Sequence, residues 1–430
     1  MKKEGIKKVA RASNSLRREQ DAPATITPKL RFPKFRNAKG WESKRLGILF
    51  SDRQESGLCN LPLLSLMNKE GIVPQENSNR KNNSNSDKSK YLRVVPGDIA
   101  YNTMRMWEGR SAYVGLEGLV SPAYTVCQPK DKVHSLFFSY YFKTPQLIEQ
   151  FRQYSQGLVK DTLNLKYEAF SKIAVLTPAF QEQQKIADCL TSLDELINTE
   201  SQKLDALKTH KKGLMQQLFP RDGETVPRLR FPEFRNAGEW KVKSIGQLGE
   251  VVTGSTPSTA QPEYYGGDRL FVSPADISDC RYIEKTKTTL SAQGFKETRP
   301  IKANSILFVC IGSTIGKIAQ NRYECATNQQ INSVIPNADF SDSFVYYALS
   351  GISEQIANLA GIQAVPIVNK SLFSSVELVT PKLSEQQRIA DCLSSLDDLI
   401  AAQTQKLETL KTHKKGLMQQ LFPSGTEVAG

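Results

Sequence analysis

The chain has 430 residues, of which 39% are hydrophobic and 23% charged; that is globular composition, too long for one ordinary core, and it excludes a disordered or membrane-spanning class. A formal charge of +13 favours polyanionic partners, nucleic acid first, although many basic chains bind none. Seven cysteines with no CxxC pair and three histidines remote from any second ligand point to reduced thiols in the cytoplasm and argue against a disulfide frame or a zinc site.

In chain order, residues 1–27 form a basic tail, with Lys2, Lys3, Lys7, Lys8, Arg11, Arg17 and Arg18 but no apolar run behind them. That excludes a signal peptide and leaves two readings, a solvated arm or a contact to a polyanion. Residues 28–180 hold a first Gly- and Pro-punctuated, strand-like region that opens on PKLRFPKFRNAKGW. Residues 181–220 are expected to be a long helix, and 221–383 a second strand-like region with its own opening, PRLRFPEFRNAGEW. A second helix over 384–423 and a short tail, 424–430, complete the chain. The expected class is α+β: two mainly β domains joined by two long helices.

The repeat is the strongest signal. EQQKIADCLTSLDELINTESQKLDALKTHKKGLMQQLFP from Glu182 returns as EQQRIADCLSSLDDLIAAQTQKLETLKTHKKGLMQQLFP from Glu385. Between opening and helix the two halves diverge, and only echoes survive: VPGDI at Val95–Ile99 against IKANSI at Ile301–Ile306, and IAVLTP from Ile173 against VELVTP from Val376. Identical connectors joined to different contents suggest two readers of different ligands on one frame.

Within the first helix, seam positions fall three and four apart at Ile186, Leu190, Leu193, Ile197, Leu204, Leu207, Leu214 and Leu218, with Glu200 and Lys211 in the gaps. The second copy has Ile389, Leu393, Leu396, Ile400, Leu407, Leu410, Leu417 and Leu421, interrupted by Gln403 and Lys414. This is a heptad seam and predicts a coiled coil. Ser384 and Gln387 form a capping-box pattern at the second start, and Pro220 and Pro423 read as stops. At 1.5 Å per residue each helix is a rod of roughly 55 Å. An antiparallel pairing matches Leu190 with Leu417, Ile197 with Leu410 and Leu204 with Gln403, seam against seam throughout. It would set the two domains at opposite ends of the rod. The basic runs Lys208–Lys212 and Lys411–Lys415 then either face phosphates or are merely solvated.

The LRFPxF openings, the two unlike domains and the repeated EQQxIADCLxSLDxLI…LKTHKKGLMQQLFP helices resemble the specificity subunit of type I restriction-modification systems, over nearly the whole chain. GSTPSTAQPEYYGG at Gly254–Gly267 and GSTIGK at Gly312–Lys317 are similar to elements of that family's target-recognition domains. The resemblance implies a non-catalytic subunit that reads a bipartite, asymmetric site in double-stranded DNA, one half per domain, with the helices setting the spacer. It also implies two modification subunits that methylate adenine with S-adenosylmethionine, restriction-translocase subunits that use ATP and magnesium, and no cofactor in this chain.

Base readout needs Arg or Lys for guanine and Asn or Gln for adenine, carried on loops that reach a groove. In the second domain the candidates are Ser255, Thr256, Ser258, Lys317, Asn328, Gln329 and Gln330; in the first they are Arg105, Arg110, Lys160 and Asn164. Arg105 and Arg110 flank Trp107 after the VVPGDI strand, the place that GSTIGK holds in the other half. The Asn- and Ser-rich stretch Gln75–Lys90 reads as a loop that either orders on DNA or is a simple insertion. The first domain lacks the GxTPS-type loop.

Enzyme readings find little to stand on. An adenine methyltransferase needs a cofactor-binding Gly-rich turn and an NPPY-like loop, and neither string is present. In GSTIGK only three residues separate Gly312 from Gly316, and Ile318 follows Lys317 where a P-loop needs Ser or Thr. A coiled-coil adaptor with no DNA readout is the competing non-enzyme reading, and two large divergent domains exceed what it needs.

Overall fold

The computed structural model describes residues 27–58, 60–67, 71–78, 87–278, 280–361 and 365–423. The basic arm at Lys2–Arg18, the centre of the Gln75–Lys90 stretch and the tail after Pro423 lie outside the described residues. The chain divides into two compact units, one reaching Thr199 and resuming at Leu407, the other spanning Glu200–Lys406.

Among its described residues the first unit contains ten strands: β1 (Glu42–Arg45), β2 (Phe50–Asp52), β3 (Leu64–Met67), β4 (Gly71–Pro74), β5 (Leu92–Val94), β6 (Ile99–Asn102), β7 (Ser111–Tyr113), β8 (Gly118–Val120), β9 (Tyr124–Pro129) and β10 (Ala174–Thr177). The main sheet runs β2-β9-β6-β7, all antiparallel, with β3-β4 and β5-β8 as smaller pairs. β1 pairs with β10, Glu42 opposite Thr177, so the LRFP opening leads straight into a partner of the IAVLTP echo. The VPGD turn before β6 has Pro96 fixing one dihedral and Gly97 at φ +101°, closed by Asp98 N–H to Val95 O at 3.1 Å. The Asp98 carboxylate also holds Arg53 at 2.9 Å.

The second unit repeats the plan. Its strands are β11 (Lys241–Ser244), β12 (Gly249–Thr253), β13 (Tyr265–Val272), β14 (Tyr282–Ile283), β15 (Thr288–Leu290), β16 (Ile306–Val309), β17 (Ile318–Asn321), β18 (Cys325–Thr327), β19 (Ile331–Pro336) and β20 (Glu377–Thr380). The main sheet is β12-β19-β16-β17-β14, the first unit's order with one strand added. β11 pairs with β20, and a separate sheet holds β15-β13-β18. Asn304, at φ +64°, occupies the turn place of Gly97; Asn tolerates that left-handed geometry where most residues do not. That accounts for the VPGDI and IKANSI echo.

The long helices run Phe180–Leu218 and Leu383–Leu421, 39 residues each, and their packing is antiparallel within each unit. In the first, Ile186 and Leu190 share a core cluster with Leu421, Leu417 and Met418, and Asp194 meets Lys414 at 2.5 Å. In the second, Leu214 and Leu218 lie with Ile389 and Leu393, and Lys211 meets Asp397 at 2.5 Å. All sixteen apolar seam positions are buried or half-buried. The polar interruptions are satisfied: Gln403 Nε2 donates to Glu200 Oε2 at 2.6 Å and Lys406 binds Oε1. The expected rod of roughly 55 Å is, at 39 residues, closer to about 58 Å.

The capping-box reading of Ser384 is corrected. The helix begins at Leu383, which puts Ser384 inside its first turn. Gln386 organises that start instead, its Nε2 donating to Pro381 O at 2.9 Å, as Gln183 Nε2 does to Pro178 O at 2.9 Å. The helix ends are also more than stops. Phe422 stacks on Tyr141 at 4.9 Å beside Trp41 and Phe137, and Phe219 packs on Phe344 and Trp240.

Candidate nucleic-acid interface

In the second unit, strand pairing brings several loops to one end of the main sheet. Thr253 faces Asn332, and Val309 faces Ile331, so β12 and β16 end where β19 begins. The loops 254–258, 310–317 and 328–330 therefore emerge together. The close approach is built on Gly254, where a Cβ would lie 2.3 Å from Thr327 O and from Thr327 Oγ1. Ser255 N–H donates to Thr327 O at 2.9 Å, and Thr256 Oγ1 donates to Gln329 Oε1 at 2.6 Å.

Thr256 and Gln329 are both exposed, and their hydrogen bond occupies the Gln329 amide oxygen rather than its nitrogen. Asn328 Nδ2 donates to Gln330 Oε1 at 3.0 Å, while Gln330 Nε2 reaches Ile311 O at 3.3 Å. Those two amides brace the loops. Ser258 is exposed and its carbonyl receives Gln261 N–H at 3.2 Å. Lys317 lies on the same rim, but its Nζ donates to Ile277 O at 3.1 Å, which ties two rim loops together. Thr253 Oγ1 to Asn332 Oδ1 at 2.6 Å and Arg299 Nη1 to Thr253 O at 2.7 Å fix the end of β12; sequence reasoning missed both.

In the first unit the matching strand ends carry different loops. β6 turns into 103–110 and returns as β7, as β16 does through 310–317. Arg105 donates to Glu108 Oε1 at 3.1 Å and Arg110 to Glu108 Oε2 at 3.0 Å, so one carboxylate offsets part of both charges. Lys160 is exposed on a short turn. Asn164 is bridged to Gln156 by backbone hydrogen bonds in both directions, at 2.8 and 2.9 Å. It lines an open cleft of about 620 Å³ together with Asp52, Gln54, Lys90, Thr103, Lys166 and Glu168.

Of these the sequence named Asn164 singly, and Lys90 only as the end of the Gln75–Lys90 stretch. Burial, and secondarily Glu168, hold the Asp52 carboxyl above its ordinary range despite the hydrogen bond from Gln54. Gln54 and Glu168 are exposed acceptors in this cleft and Lys90 and Lys166 exposed donors, the groups that base edges and phosphates pair with, whereas Asp52 Oδ1 and Asn164 Oδ1 are buried without a hydrogen-bond partner.

A repeated clamp holds each sheet system to its helix. Arg31 binds Glu182 bidentately at 2.7 and 2.6 Å while donating to Ala38 O and Lys39 O at 2.8 Å, and Trp41 Nε1 lies 3.4 Å from the same carboxylate. Arg230, Glu385 and Trp240 reproduce it, at 2.7, 2.8 and 3.4 Å. Hydrogen bonding to Glu182 raises the Arg31 pKa further. A second motif recurs as well: Tyr140 OH donates to Asp194 at 2.7 Å and Tyr347 OH to Asp397 at 2.6 Å. The heptad lysines Lys414 and Lys211 bind those same aspartates, so within the two basic runs these residues face inward. Lys208, Lys212, Lys411 and Lys415 are exposed.

Cys127, Cys310 and Cys325 are buried free thiols, the latter two pushed up to about 12 by burial, which makes them inert. No helix among the described residues is long and apolar enough to cross a membrane.

The family model described as the type I restriction modification DNA specificity domain matches residues 39–209 and again 237–412. The chain is 24% identical over 356 residues to the type I restriction enzyme HindI specificity subunit of Haemophilus influenzae, covering 67% of this chain and 77% of that one. It is 32% identical over 178 residues to the MjaIX specificity subunit of Methanocaldococcus jannaschii, covering 40% and 41%. The S subunit of M. genitalium superposes with a TM-score of 0.60 at 13% identity, covering 93% of this chain and 100% of that chain. A chain solved in a study of type I R-M complex assembly and conformational transition gives 0.53 at 16% identity, covering 90% and 98%. These structural likenesses establish the fold.

Proposed function

Since the chain belongs to the type I restriction modification DNA specificity family, its family model matching residues 39–209 and 237–412, we propose that it reads a bipartite, asymmetric DNA site with one half per domain. The carrying observation is that both units have the same main-sheet order, β2-β9-β6-β7 and β12-β19-β16-β17, with unlike loops at the same strand ends. Common topology with different loops suits two readers of different sequences. Base readout falls to Thr256 and Gln329 on the second rim and to the Asn164 cleft on the first. Arg105, Arg110, Lys160, Ser255, Ser258 and Lys317 hold phosphates or brace loops, and Asn328 and Gln330 keep the second rim in shape.

The chain carries no chemistry and no cofactor of its own. It works in the cytoplasm as the DNA-reading part of a complex in which two modification subunits methylate adenine with S-adenosylmethionine. Restriction-translocase subunits, using ATP and magnesium, supply cleavage. The two long helices fix the spacer between the half-sites, and their length spans more than one duplex turn of about 34 Å. The test is co-expression with candidate modification subunits and genome-wide mapping of methylated adenines. A split motif supports the reading; a continuous motif, or none, refutes it and favours an adaptor.

A further inference from the structure

The turn Gly157–Leu163 in the first unit exposes apolar side chains without cover. Leu158 is 102% exposed and Val159 61%, and Leu158 is the most exposed large apolar residue described. An exposed leucine by itself is ordinary. The support beneath this one is not.

Gly157 sits at φ +140°, and a Cβ there would lie 2.5 Å from Thr162 O, so only glycine permits so tight a turn. Thr162 closes it: its N–H and Oγ1 both donate to Val159 O at 2.9 Å, and Val159 N–H donates back to Thr162 Oγ1 at 3.2 Å. Below the turn Gln156 and Asn164 are bridged in both directions, and Leu165 N–H donates to Thr103 O at 2.9 Å. Thr103 N–H in turn reaches Ala123 O at 3.1 Å. The tip is thus a stiff projection rooted in the strand-end loops that form the first reading cleft.

The second unit shows the same attachment on unrelated sequence. Ile367 bridges Ile311, Gly312 N–H donates to Pro366 O at 3.0 Å, and Val365 and Ile367 are 55% and 44% exposed.

We infer that Leu158 is an apolar wedge that enters the base stack of the first half-site, with Lys160 on the neighbouring phosphate; this rests on the DNA-reading function proposed above. Proteins that kink DNA insert single leucine, isoleucine or phenylalanine side chains between base steps, spending stacking energy to gain contact area. A protein partner is disfavoured by the surroundings. Gln156 and Lys160 beside Leu158 and Val159 are polar and exposed, and two apolar side chains fall far short of the about 800 Å² per side, with a desolvated apolar centre, that a stable protein contact needs. A fully projecting leucine, with the less exposed Val159 next in the chain and a cation beside it, fits a base step and its phosphate.

The test uses the full chain assembled with its modification subunits on duplexes that carry 2-aminopurine at successive positions through both half-sites. With the native chain, one position in the first half-site should fluoresce strongly, apart from any signal at the flipped target adenine. Leu158→Ala should abolish that signal and weaken binding about tenfold, with the second half-site unchanged, and Leu158→Met should restore both. Because Leu158 makes no core contact, loss of fold does not confound the variant.

Equal affinity and an unaltered fluorescence profile for Leu158→Ala would overturn the wedge while leaving the specificity reading intact. Loss of the modification subunits from purified Leu158→Ala, with DNA behaviour unaltered, would reassign the tip to a protein contact and likewise overturn it. Failure of the native complex to prefer any bipartite duplex would refute the specificity reading, and the wedge with it.

Discussion

The two main sheets have the same strand order and nearly the same turn before the central hairpin, Pro96-Gly97 in one unit and Ala303-Asn304 in the other, yet their strand-end loops share almost nothing. One rim is built from amide and hydroxyl pairs such as Thr256 with Gln329. The other has two arginines around Glu108 and a cleft that mixes Lys90 and Lys166 with Asp52 and Glu168. The buried attachments do the opposite. Arg31–Glu182 and Arg230–Glu385, and Tyr140–Asp194 and Tyr347–Asp397, match almost atom for atom. What holds each sheet to the helices is duplicated, and the strand-end loops proposed to meet DNA have diverged.

The largest expected effect tests the duplicated part. Glu182→Ala strands Arg31, whose side chain is 7% exposed, and should cost about 3–5 kcal/mol because an uncompensated buried charge remains. Glu385→Ala should cost about the same in the other unit, and chemical denaturation of each variant measures both. Unequal losses would break the claim that the attachments are equivalent.

The divergent part should respond differently. Thr256→Ala or Gln329→Ala should relax discrimination at one base pair of the second half-site by about 1–3 kcal/mol and leave the first untouched; binding to a panel of single-base-pair variants reads this. Arg105→Ala and Arg110→Ala should weaken all duplexes alike and lower the salt slope by roughly one each. Glu108→Gln should do the reverse, freeing both arginines and steepening the slope, as titrations at several salt concentrations would report.

The smallest effect concerns Asp52, whose carboxyl is held above 3.8 mainly by burial. A raised acid pKa in the fold means the ionised form opposes folding. Stability falls as pH rises through that range, and the full penalty persists above it. Asp52→Asn should therefore stabilise the chain at neutral pH by under about 1 kcal/mol, since the group is half-exposed and screened. The gain should vanish below pH 3.8, and thermal unfolding across pH follows it.

The helical frame was legible because a three-four spacing of leucines has one physical reading, and every named seam residue is covered. The rims were legible only in part. Thr256 and Gln329 were singled out separately, but their contact depends on Thr253 standing opposite Asn332, a register that no local pattern encodes. The Asp52, Thr103 and Lys166 side of the first cleft carries no motif.

The clamp was missed because Arg31 and Glu182 are 151 residues apart. The signal was present nonetheless, since an opening arginine and a helix-start glutamate recur together in both halves. Phe219 and Phe422 were passed over as neighbours of a stop proline, when burial of an aromatic end is what the LFP repeat preserves. Ser384 misled because capping pattern and helix start differ by two residues, and tertiary hydrogen bonds to Gln386 set the start.

Mapping methylated adenines in cells that express the modification subunits with either the native chain or the Gln329→Ala variant tests the central claim most directly. The expected result is a split motif whose second half alone becomes degenerate in the variant. Degeneracy in both halves, or a motif without a gap, would contradict the assignment of one half-site to each unit.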